Sequence, residues 1–556
     1  RVEAASRPVA AEPGAADATG PDAGTTATAP PVARPEPAGW VDYEGGVQLL
    51  DALAAGHATR AAWTALPGDR WPAEIAGAVA TTVSGGRGAL VVVPDMRDVA
   101  RVDAALSAAL GPGRHMVLTA DLGPAERYRR WLAVRRGEVG VVVGTRAAMF
   151  APVSDPGLFV VWDDGDDLHA EPRAPYPHVR EVLAMRAAHE SAGLLIGGWA
   201  RTAEAAALVG AGWARAVAPA RAVVRAAAPR VTVAGDDAEL SSDGAARAAR
   251  LPSVAWRTAR EGLRHGPVLV QVPRGGYLPG LACADCRTPA RCAACHGPLG
   301  AADRGSTPRC GWCGRVATGW SCPHCDSRRL RATSVGSVRT AEELGRAFPG
   351  TTVRVSGGDA VLAAVSSDPA LVVATPGAEP VADGGYTAAL LLDGWALLGR
   401  PDLRAAEETV RRWMGAAGLV RPAALGGTVI LLAEGSAPAV QALVRWDPVT
   451  FAARELAERA ALRFPPAVAM ASLTGGSAAL RQLLDVAGLP DVAEVLGPVP
   501  VAARTRGEPE LERLLVRMPR SRGRELAGAL HAAAGVRSAH KDAGSVRIQI
   551  DPLEIA

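Results

Sequence analysis

The chain has 556 residues, of which 49% are hydrophobic, and a formal net charge of +3 at pH 7. This length predicts three or four domains, and the hydrophobic content is sufficient for several cores. The nearly neutral charge produces no global field that would point to nucleic acid, and no apolar run approaches the roughly 18–20 residues of a membrane span.

The first segment, residues 1–39, is rich in Ala, Pro, Gly and Thr and contains few large apolar side chains. Such a composition cannot bury a core, so we predict a disordered linker. The segment also lacks the basic and apolar pattern of a signal peptide. Because the chain begins with Arg1 rather than Met, we expect it to be a fragment or a processed product.

Residues 40–235 alternate short apolar runs with helical patterns, which predicts an α/β lobe with a parallel sheet. Helices are predicted at Ala73–Val83 and Val179–Ser191. The predicted strands are Ala89–Pro94, Val139–Thr145, Leu158–Trp162 and Gly193–Gly198.

A second lobe of the same type is predicted from residues 250–280 and 332–445, which flank an inserted module. Its predicted helix, Thr340–Phe348, lies between two strands, as a βαβ unit requires. The predicted strands are Val268–Val272, Ala332–Gly336, Thr352–Val355, Leu371–Thr375, Ala388–Asp393 and Thr428–Ala433.

The inserted module, residues 281–331, contains all eight cysteines of the chain as four CxxC pairs. Each pair places two thiolates on one tight turn, which is half of a tetrahedral zinc site. The 14 residues 296–309 separate the second pair from the third, whereas only the five residues 287–291 separate the first pair from the second. We therefore predict two nested zinc sites. The ligands of one ion are Cys283, Cys286, Cys322 and Cys325, and those of the other are Cys292, Cys295, Cys310 and Cys313.

Disulfides are an alternative use of these thiols, and they require an oxidising compartment. A redox-active CxxC pair is another alternative, but such a pair would not recur four times. Structural zinc in a reducing, cytoplasmic environment is the interpretation that we adopt.

The same module carries eight Arg against three Asp, a local positive charge that suits phosphate contacts. Arg328, Arg329 and Arg331 are the candidates, and the alternative is a solvated surface rich in arginine. Trp312 and Trp320 could stack on bases, although packing against the small metal core is the simpler account.

The last segment, residues 446–556, begins with a predicted helix at Phe451–Arg463. A strand, a helix, a second strand and a second helix follow, and the final strand is predicted at Ser545–Ile550. This order predicts a small α+β domain.

Motifs from about Tyr43 to Leu553 resemble those of primosomal protein N′, a family of superfamily 2 helicases that restart stalled replication forks. The most specific part is Gly276-Tyr277 followed by the eight cysteines. Val142–Phe150 resembles the family's VVGTRSALF, and Gly336–Gly350 resembles GTERVEEELARLFPG. The sequences PDLRAAE at 401–407, EVLGPVP at 494–500 and IDPL at 550–553 match as well.

The resemblance implies an α/β fold of two RecA-like helicase lobes, with the two-zinc module inserted in the second lobe and an α+β domain at the C-terminus. It implies as partners forked DNA, primosome and replicative-helicase-loading proteins, and single-stranded-DNA-binding protein. In the family, a domain that binds the 3′ end of the leading strand and a winged helix precede the lobes, and neither fits in residues 1–39. The family's outer cysteine pairs share one zinc ion, in agreement with the nested assignment.

The family's nucleotide-binding loop, GVTGSGKTE, is degenerate in this chain. Aligned on Glu74, it becomes LPGDRWPAE, in which Pro72 replaces the phosphate-binding Lys and Ala73 replaces the Mg²⁺-binding hydroxyl. Proline has no N–H to donate to a phosphate, and the carboxylate of Asp69 would repel one. We therefore expect no phosphate binding by this loop.

Three further catalytic motifs are altered. The family's DEEHD becomes WDDGD, so Trp162 replaces the carboxylate that organises Mg²⁺, and we expect Asp163 and Asp164 to be solvated. The family's GSATPS becomes GGWART at 197–202, and Leu419 and Pro422 replace the two arginines of the finger motif. We therefore predict neither catalytic residues nor residues that bind ATP and Mg²⁺.

The sequence favours a pseudo-helicase, a primosome protein that binds stalled or abandoned forks and helps to reload the replicative helicase without unwinding DNA. The first alternative is a residual ATP-dependent 3′–5′ DNA helicase with an unconventional phosphate site. The second is a zinc-stabilised protein-interaction scaffold. ATP hydrolysis and affinity for forked DNA distinguish the three.

Overall fold

The computed structural model describes residues 32–234, 251–273, 281–286, 288–301, 306–310, 313–332, 337–400, 402–501, 510–540 and 544–555. The predicted linker at 1–39 lies largely outside these ranges. Its last residues contact the first lobe, because Val32 packs against the core, Arg34 pairs with Asp51, and a 3₁₀-helix begins at Ala38. The prediction of disorder is therefore wrong for residues 32–39.

The first lobe is built on an eight-stranded sheet. Its strands are parallel except Tyr43–Glu44, which pairs antiparallel with Arg215–Pro219. Helices cover both faces, so strands such as Pro156–Trp162 are buried along their whole length. In spatial order the strands are Tyr43–Glu44, Arg215–Pro219, Arg60–Thr64, Gly193–Gly198, Pro156–Trp162, Gly88–Val92, Val141–Gly144 and Met116–Leu118. The helices are Gly46–Ala54, Trp71–Ser84, Met96–Leu110, Pro124–Arg135, Val179–His189, Ala203–Gly210 and Arg221–Ala227.

The second lobe is built on a six-stranded parallel sheet. In spatial order the strands are Thr352–Ser356, Ala370–Ala374, Val268–Gln271, Ala388–Leu391, Thr428–Leu432 and Arg230–Ala234. The helices are Ser253–Gly262, Ser337–Ala347, Gly394–Leu398, Ala405–Gly418 and Pro438–Arg445. A pair of short strands, Ala364–Val365 and Val381–Ala382, lies outside this sheet.

Two segments do not lie in the unit to which the sequence analysis assigned them. Arg230–Ala234 pairs with Thr428–Leu432 in the second sheet, whereas a first lobe at 40–235 would include it. Ala332 pairs with Leu281 in the cysteine-rich module, and residues 333–336 of that predicted strand lie outside the described residues. An apolar run shows that a strand is buried, but it does not show which sheet buries it.

The described part of the cysteine-rich module contains two small antiparallel ribbons. Leu281–Cys283 pairs with Leu330–Ala332 at its base, and Leu299–Gly300 pairs with Arg309–Cys310 further out. This second ribbon is the inner one, because the two strands of the base ribbon precede and follow it in the chain.

The C-terminal domain follows the helix Pro448–Leu462 and contains a four-stranded antiparallel sheet. In spatial order its strands are Glu494–Val501, Leu511–Pro519, Val468–Gly475 and Arg547–Ile550. The helices Ser477–Ala487 and Gly523–His540 pack on the sheet around Leu480, Leu526 and Leu530. The α+β fold predicted for this segment is confirmed.

One cluster of buried apolar residues crosses from the first lobe into the second. It includes Trp63 and Ile75 of the first lobe, Leu391 and Trp413 of the second, and Phe451 of the helix that leads to the C-terminal domain. The two lobes thus share a continuous core.

Candidate functional site

The outer cysteine cluster is assembled by the ribbon at the base of the module. Pairing of Leu281–Cys283 with Leu330–Ala332 brings the first CxxC turn beside the fourth. The Sγ atoms of Cys283 and Cys325 are 3.5 Å apart, and those of Cys286 and Cys322 are 3.3 Å apart. The four sulfur atoms lie within 4.8 Å of one another, so the group could hold one metal ion.

The inner cluster forms in the same way around the second ribbon. The Sγ atoms of Cys292 and Cys313 are 3.8 Å apart, and those of Cys295 and Cys310 are 3.4 Å apart. These four sulfur atoms also lie within 4.8 Å of one another. The structure thus brings the eight cysteines together in the nested groups that their spacing predicted.

The geometry and chemistry of both clusters fit tetrahedral zinc. With Zn–S bonds of about 2.3 Å, tetrahedral ligands lie roughly 3.8 Å apart, close to the distances in these clusters. A disulfide would bring two sulfur atoms to about 2.05 Å. The backbone N–H groups of Cys286 and Asp285 lower the pKa of the Cys283 thiol to about 6. Those of Ala294 and Cys295 lower the pKa of Cys292 to about 6, so the first thiol of each of these two turns favours the thiolate that binds metal. Desolvation and the neighbouring cysteine thiols raise the pKa of Cys295 to about 12.

The candidate phosphate-binding arginines lie on the surface of the module. Arg328, Arg329 and Arg331 are exposed, and the Nη1 of Arg329 is 3.1 Å from the Oδ1 of Asp285. Trp320 packs against the small core of the module, in agreement with the simpler account of its role, whereas Trp312 lies outside the described residues.

The first lobe contains a cluster of aromatic side chains at the degenerate nucleotide-binding loop. Trp71 begins the helix Trp71–Ser84, and Trp162 ends the strand Pro156–Trp162. Their rings are stacked, with centroids 4.2 Å apart and 6° between the planes. Trp63 and Trp199 also contact Trp162, with centroid distances of 5.5 and 5.7 Å. Ligands of α/β sheets bind at the carboxyl ends of the strands, and here indoles fill that position.

The loop before this helix has no free cation for a phosphate. Pro72 lies in the first turn, where its missing N–H removes one donor from the helix N-terminus. Asp69 forms an ion pair with Arg101, and the Arg101 guanidinium lies over the Trp71 ring, 4.7 Å from its centroid. Arg70, which lies in the loop itself, pairs with Asp42 and Glu74, so both nearby arginines are already engaged.

The acidic residues after Trp162 are engaged by arginines. Asp164 is buried and accepts hydrogen bonds from Arg180 Nη1 at 2.7 Å and Thr202 Oγ1 at 2.8 Å. Asp163 forms an ion pair with Arg411 of the second lobe. The expectation that Asp163 and Asp164 are solvated is wrong, because arginines that are distant in the sequence fold against them.

The finger positions hold no cation. Leu419 packs against the shared core, and Pro422 precedes the 3₁₀-helix Ala423–Leu425. Arg421, which lies between them, donates to the carbonyl oxygen atoms of Gly384 and His265 in its own lobe.

Comparison with known proteins places the chain in a family. The Probable replication restart protein PriA of Mycobacterium leprae is 53% identical over 531 residues, which cover 94% of this chain and 81% of that protein. The chain belongs to the PriA replication restart family. The PriA homologue of Mycobacterium tuberculosis H37Rv is 52% identical over 548 residues, covering 96% of this chain and 84% of that protein. The Bacillus subtilis PriA is 24% identical over 405 residues, covering 70% of this chain and 50% of that protein.

Residues 460–553 match the family described as primosomal protein N C-terminal domain, so the resemblance read from the sequence motifs is confirmed. The solved structure of RecG bound to a three-way DNA junction is similar to the chain with a TM-score of 0.39 and 11% identity, covering 72% of this chain and 43% of RecG. Among the described residues, no helix is both long and apolar enough to cross a membrane.

Sequence reasoning missed the aromatic cluster and the arginines that bind the acidic residues. The chain contains 13 Trp against five Phe and five Tyr, and this excess could have pointed to the cluster. Trp162 and Trp199 stand at the ends of two predicted strands, whose carboxyl ends meet at one edge of a parallel sheet. No such local signal exists for Arg411, which contacts Asp163 across 248 positions of sequence.

Proposed function

We propose that this chain binds stalled or abandoned replication forks and helps to reload the replicative helicase without helicase activity of its own. The names of the PriA relatives support a role in replication restart. In this proposal the chain has four parts: a first lobe that ends before Arg230, a second lobe in two segments, a zinc module at 281–331 and a C-terminal domain from 446. It assigns one zinc ion to each cysteine cluster.

The stack of Trp71 and Trp162 is the observation that carries the proposed loss of ATPase activity. In P-loop ATPases, the loop cradles the phosphates and the acidic strand end holds Mg²⁺. Here the residues at those two positions are indoles in van der Waals contact, with centroids 4.2 Å apart. A phosphate cannot enter between them unless both buried rings move.

The fixed acidic residues are a second obstacle to catalysis. A Mg²⁺ ion would have to displace Arg411 from Asp163 or Arg180 from Asp164. The finger arginines, whose stabilisation of the transition state is worth roughly three to five decades of rate, are replaced by Leu419 and Pro422. These groups act as a unit in catalysis, so restoring one of them restores no turnover.

The zinc module is proposed to present positive charge to the DNA backbone. Two metal ions hold its short ribbons together, because among its described residues the apolar core is small and is formed around Leu281, Leu299 and Trp320. Arg328 and Arg331 project from this frame as exposed cations that can neutralise phosphates. Primosome and helicase-loading proteins, and single-stranded-DNA-binding protein, are proposed partners by analogy with the family.

Fluorescence anisotropy with labelled DNA tests this function. We expect the zinc-loaded protein to bind a forked substrate more tightly than a linear duplex of the same length, with an affinity unchanged by ATP and Mg²⁺. Equal affinity for the two DNA molecules would instead favour the alternative in which the chain is a protein-interaction scaffold. Affinity that depends on ATP would favour the residual helicase.

A further inference from the structure

The helix Ala405–Gly418 of the second lobe places the buried side chain of Arg411 against acidic residues of the first lobe. The side chain of Arg411 is only 6% exposed, and it forms ion pairs with Asp163 and Asp166 of the first lobe. The distance from Arg411 Nη1 to the Oδ2 of Asp166 is 3.0 Å. Glu408, one turn earlier on the same helix, accepts from Arg411 Nε at 2.6 Å and from Arg412 Nε at 2.7 Å, so both arginines are held toward the first lobe.

A second buried group of charges joins three parts of the chain. Glu204 of the first lobe pairs with Arg404 of the second. Glu407 accepts a hydrogen bond from the backbone N–H of Ala203 at 2.8 Å, which is a direct bond between the lobes. Arg459, on the helix that leads to the C-terminal domain, lies 3.3 Å from Glu407 and 4.0 Å from Glu204.

Hydrogen bonds to backbone carbonyl groups and a packing contact extend the interface. The backbone N–H of Gly68 donates to the carbonyl oxygen of Gly418 at 2.9 Å. The indole of Trp199 covers Gly418, where a Cβ atom would lie 3.3 Å from the ring, and its Nε1 donates to the carbonyl oxygen of Leu66 at 3.0 Å. On the other side, Arg97 of the first lobe donates to the carbonyl oxygen of Gly377 at 2.6 Å.

We propose that the cleft between the lobes has become a permanent joint, closed by Arg411 and the surrounding ion pairs without any nucleotide. Motor lobes separate and close as nucleotide binds and leaves, because the nucleotide interacts differently with the two states. In this chain the ion pairs and hydrogen bonds that favour closure are made by its own residues, so closure does not depend on a ligand. The lobes then act as one rigid body, and Arg459 ties the C-terminal domain to the same joint.

Removing Arg411 should weaken the closed state selectively. In the closed state, Asp163, Asp166 and Glu408 would lose their shared partner, whereas in an open state water would hydrate all three. An unpaired buried charge is strongly destabilising, so the open population should rise by about 100-fold or more. The joint does not depend on fork binding, and its test needs no DNA.

Hydrogen exchange measured by mass spectrometry on the full zinc-loaded chain tests the joint. The amides of Gly68 and Ala203 are the reporters, since both donate across the interface. We expect slow exchange at both sites that ATP and Mg²⁺ do not change. Arg411→Ala should accelerate exchange by about 100-fold at both amides. Arg454→Ala is the matched control, because its exposed pair with Glu458 lies within one helix, and it should leave both rates unchanged.

Two outcomes in the wild type would overturn the joint. One is exchange at Gly68 and Ala203 in the wild type as fast as in an exposed loop, and the other is protection that appears only when ATP is added. If Arg411→Ala does not fold, Arg412→Ala removes a more peripheral cation and should accelerate the same two amides by a smaller factor, and unchanged rates in this variant would also contradict the joint.

Discussion

The indole of Trp71 lies parallel to that of Trp162, with ring centroids 4.2 Å apart and 6° between the ring planes. The stack connects the loop and the strand end that hold phosphate and Mg²⁺ in P-loop ATPases. Both rings are buried, with 1% of Trp71 and 3% of Trp162 exposed. Positions that serve catalysis in the helicases therefore serve packing in this chain.

Truncating the stack should destabilise the protein without restoring activity. Trp162→Ala removes a buried indole that contacts three others, so the free energy of unfolding should fall by about 3–5 kcal/mol. Tyr128→Ala is the control, because this ring is 64% exposed, and it should change the free energy by about 0.5 kcal/mol or less. Urea denaturation measures both values. A loss below about 1 kcal/mol for Trp162→Ala would show that the stack does not support the lobe.

Each chain should bind two zinc ions, which metal analysis of the purified protein measures. Cys292→Ser should lower the content to about one ion and unfold the inner ribbon, since metal binding supplies much of the folding free energy of such modules. Ser327→Ala changes a hydroxyl that bonds Asp285 in the same module, and it should keep both ions. A wild type with fewer than about one zinc per chain would refute the assignment of two four-thiolate sites.

The exposed arginines of the zinc module should contribute to the salt dependence of DNA binding. The triple change of Arg328, Arg329 and Arg331 to Ala should reduce the slope of log K against log[salt] by up to roughly three units, near one per lost phosphate contact. Arg329 is expected to contribute least, because Asp285 already neutralises it. Anisotropy titrations at several salt concentrations measure the slope, with Arg454→Ala as the control. An unchanged slope would mean that these side chains are merely solvated.

The buried charges of the joint should make stability depend on pH. Burial and the neighbouring Glu204 carboxylate raise the pKa of Glu407 from 4.5 to about 7. The folded state then binds a proton that the unfolded state releases, so this stabilising contribution is complete below about 4.5 and is lost as the pH rises through about 7. Glu407→Gln is neutral at every pH, so its unfolding free energy should fall less than that of the wild type between pH 5 and 8, by about 2–3 kcal/mol.

Chemical denaturation at several pH values measures this difference. Glu458→Gln alters an exposed glutamate and should follow the wild type at every pH. Parallel curves for Glu407→Gln and the wild type would show that Glu407 does not take up a proton in this range.

The parts of the structure that could be predicted from the sequence are those with a local signal. The spacing of each of the four CxxC turns indicates a metal site within a few residues, and strands such as Leu158–Trp162 are continuous apolar runs. Arg60–Thr64 escaped prediction because its two alanines and one arginine lack the β-branched pattern of a buried strand.

The features that could not be predicted depend on contacts between distant parts of the chain. Arg230–Ala234 follows the first lobe in sequence but completes the sheet of the second lobe, because tertiary packing determines which strand it pairs with. The ion pairs of Arg411 with Asp163 and Asp166 likewise arise only when the lobes meet. Substitutions in the degenerate motifs indicated which catalytic side chains are replaced. The structure shows the aromatic stacking and the ion pairs that occupy their positions.

Phosphate release from ATP tests the central claim most directly. The assay uses protein that carries both zinc ions, saturating forked DNA and Mg²⁺, and a zinc-stripped sample as the control. We expect a rate equal to that of the control, and the same rate for Pro72→Lys, since one restored cation cannot rebuild the site. Turnover well above the control that is abolished by a substitution of Asp163 or Asp164 would contradict the pseudo-helicase and establish a residual motor.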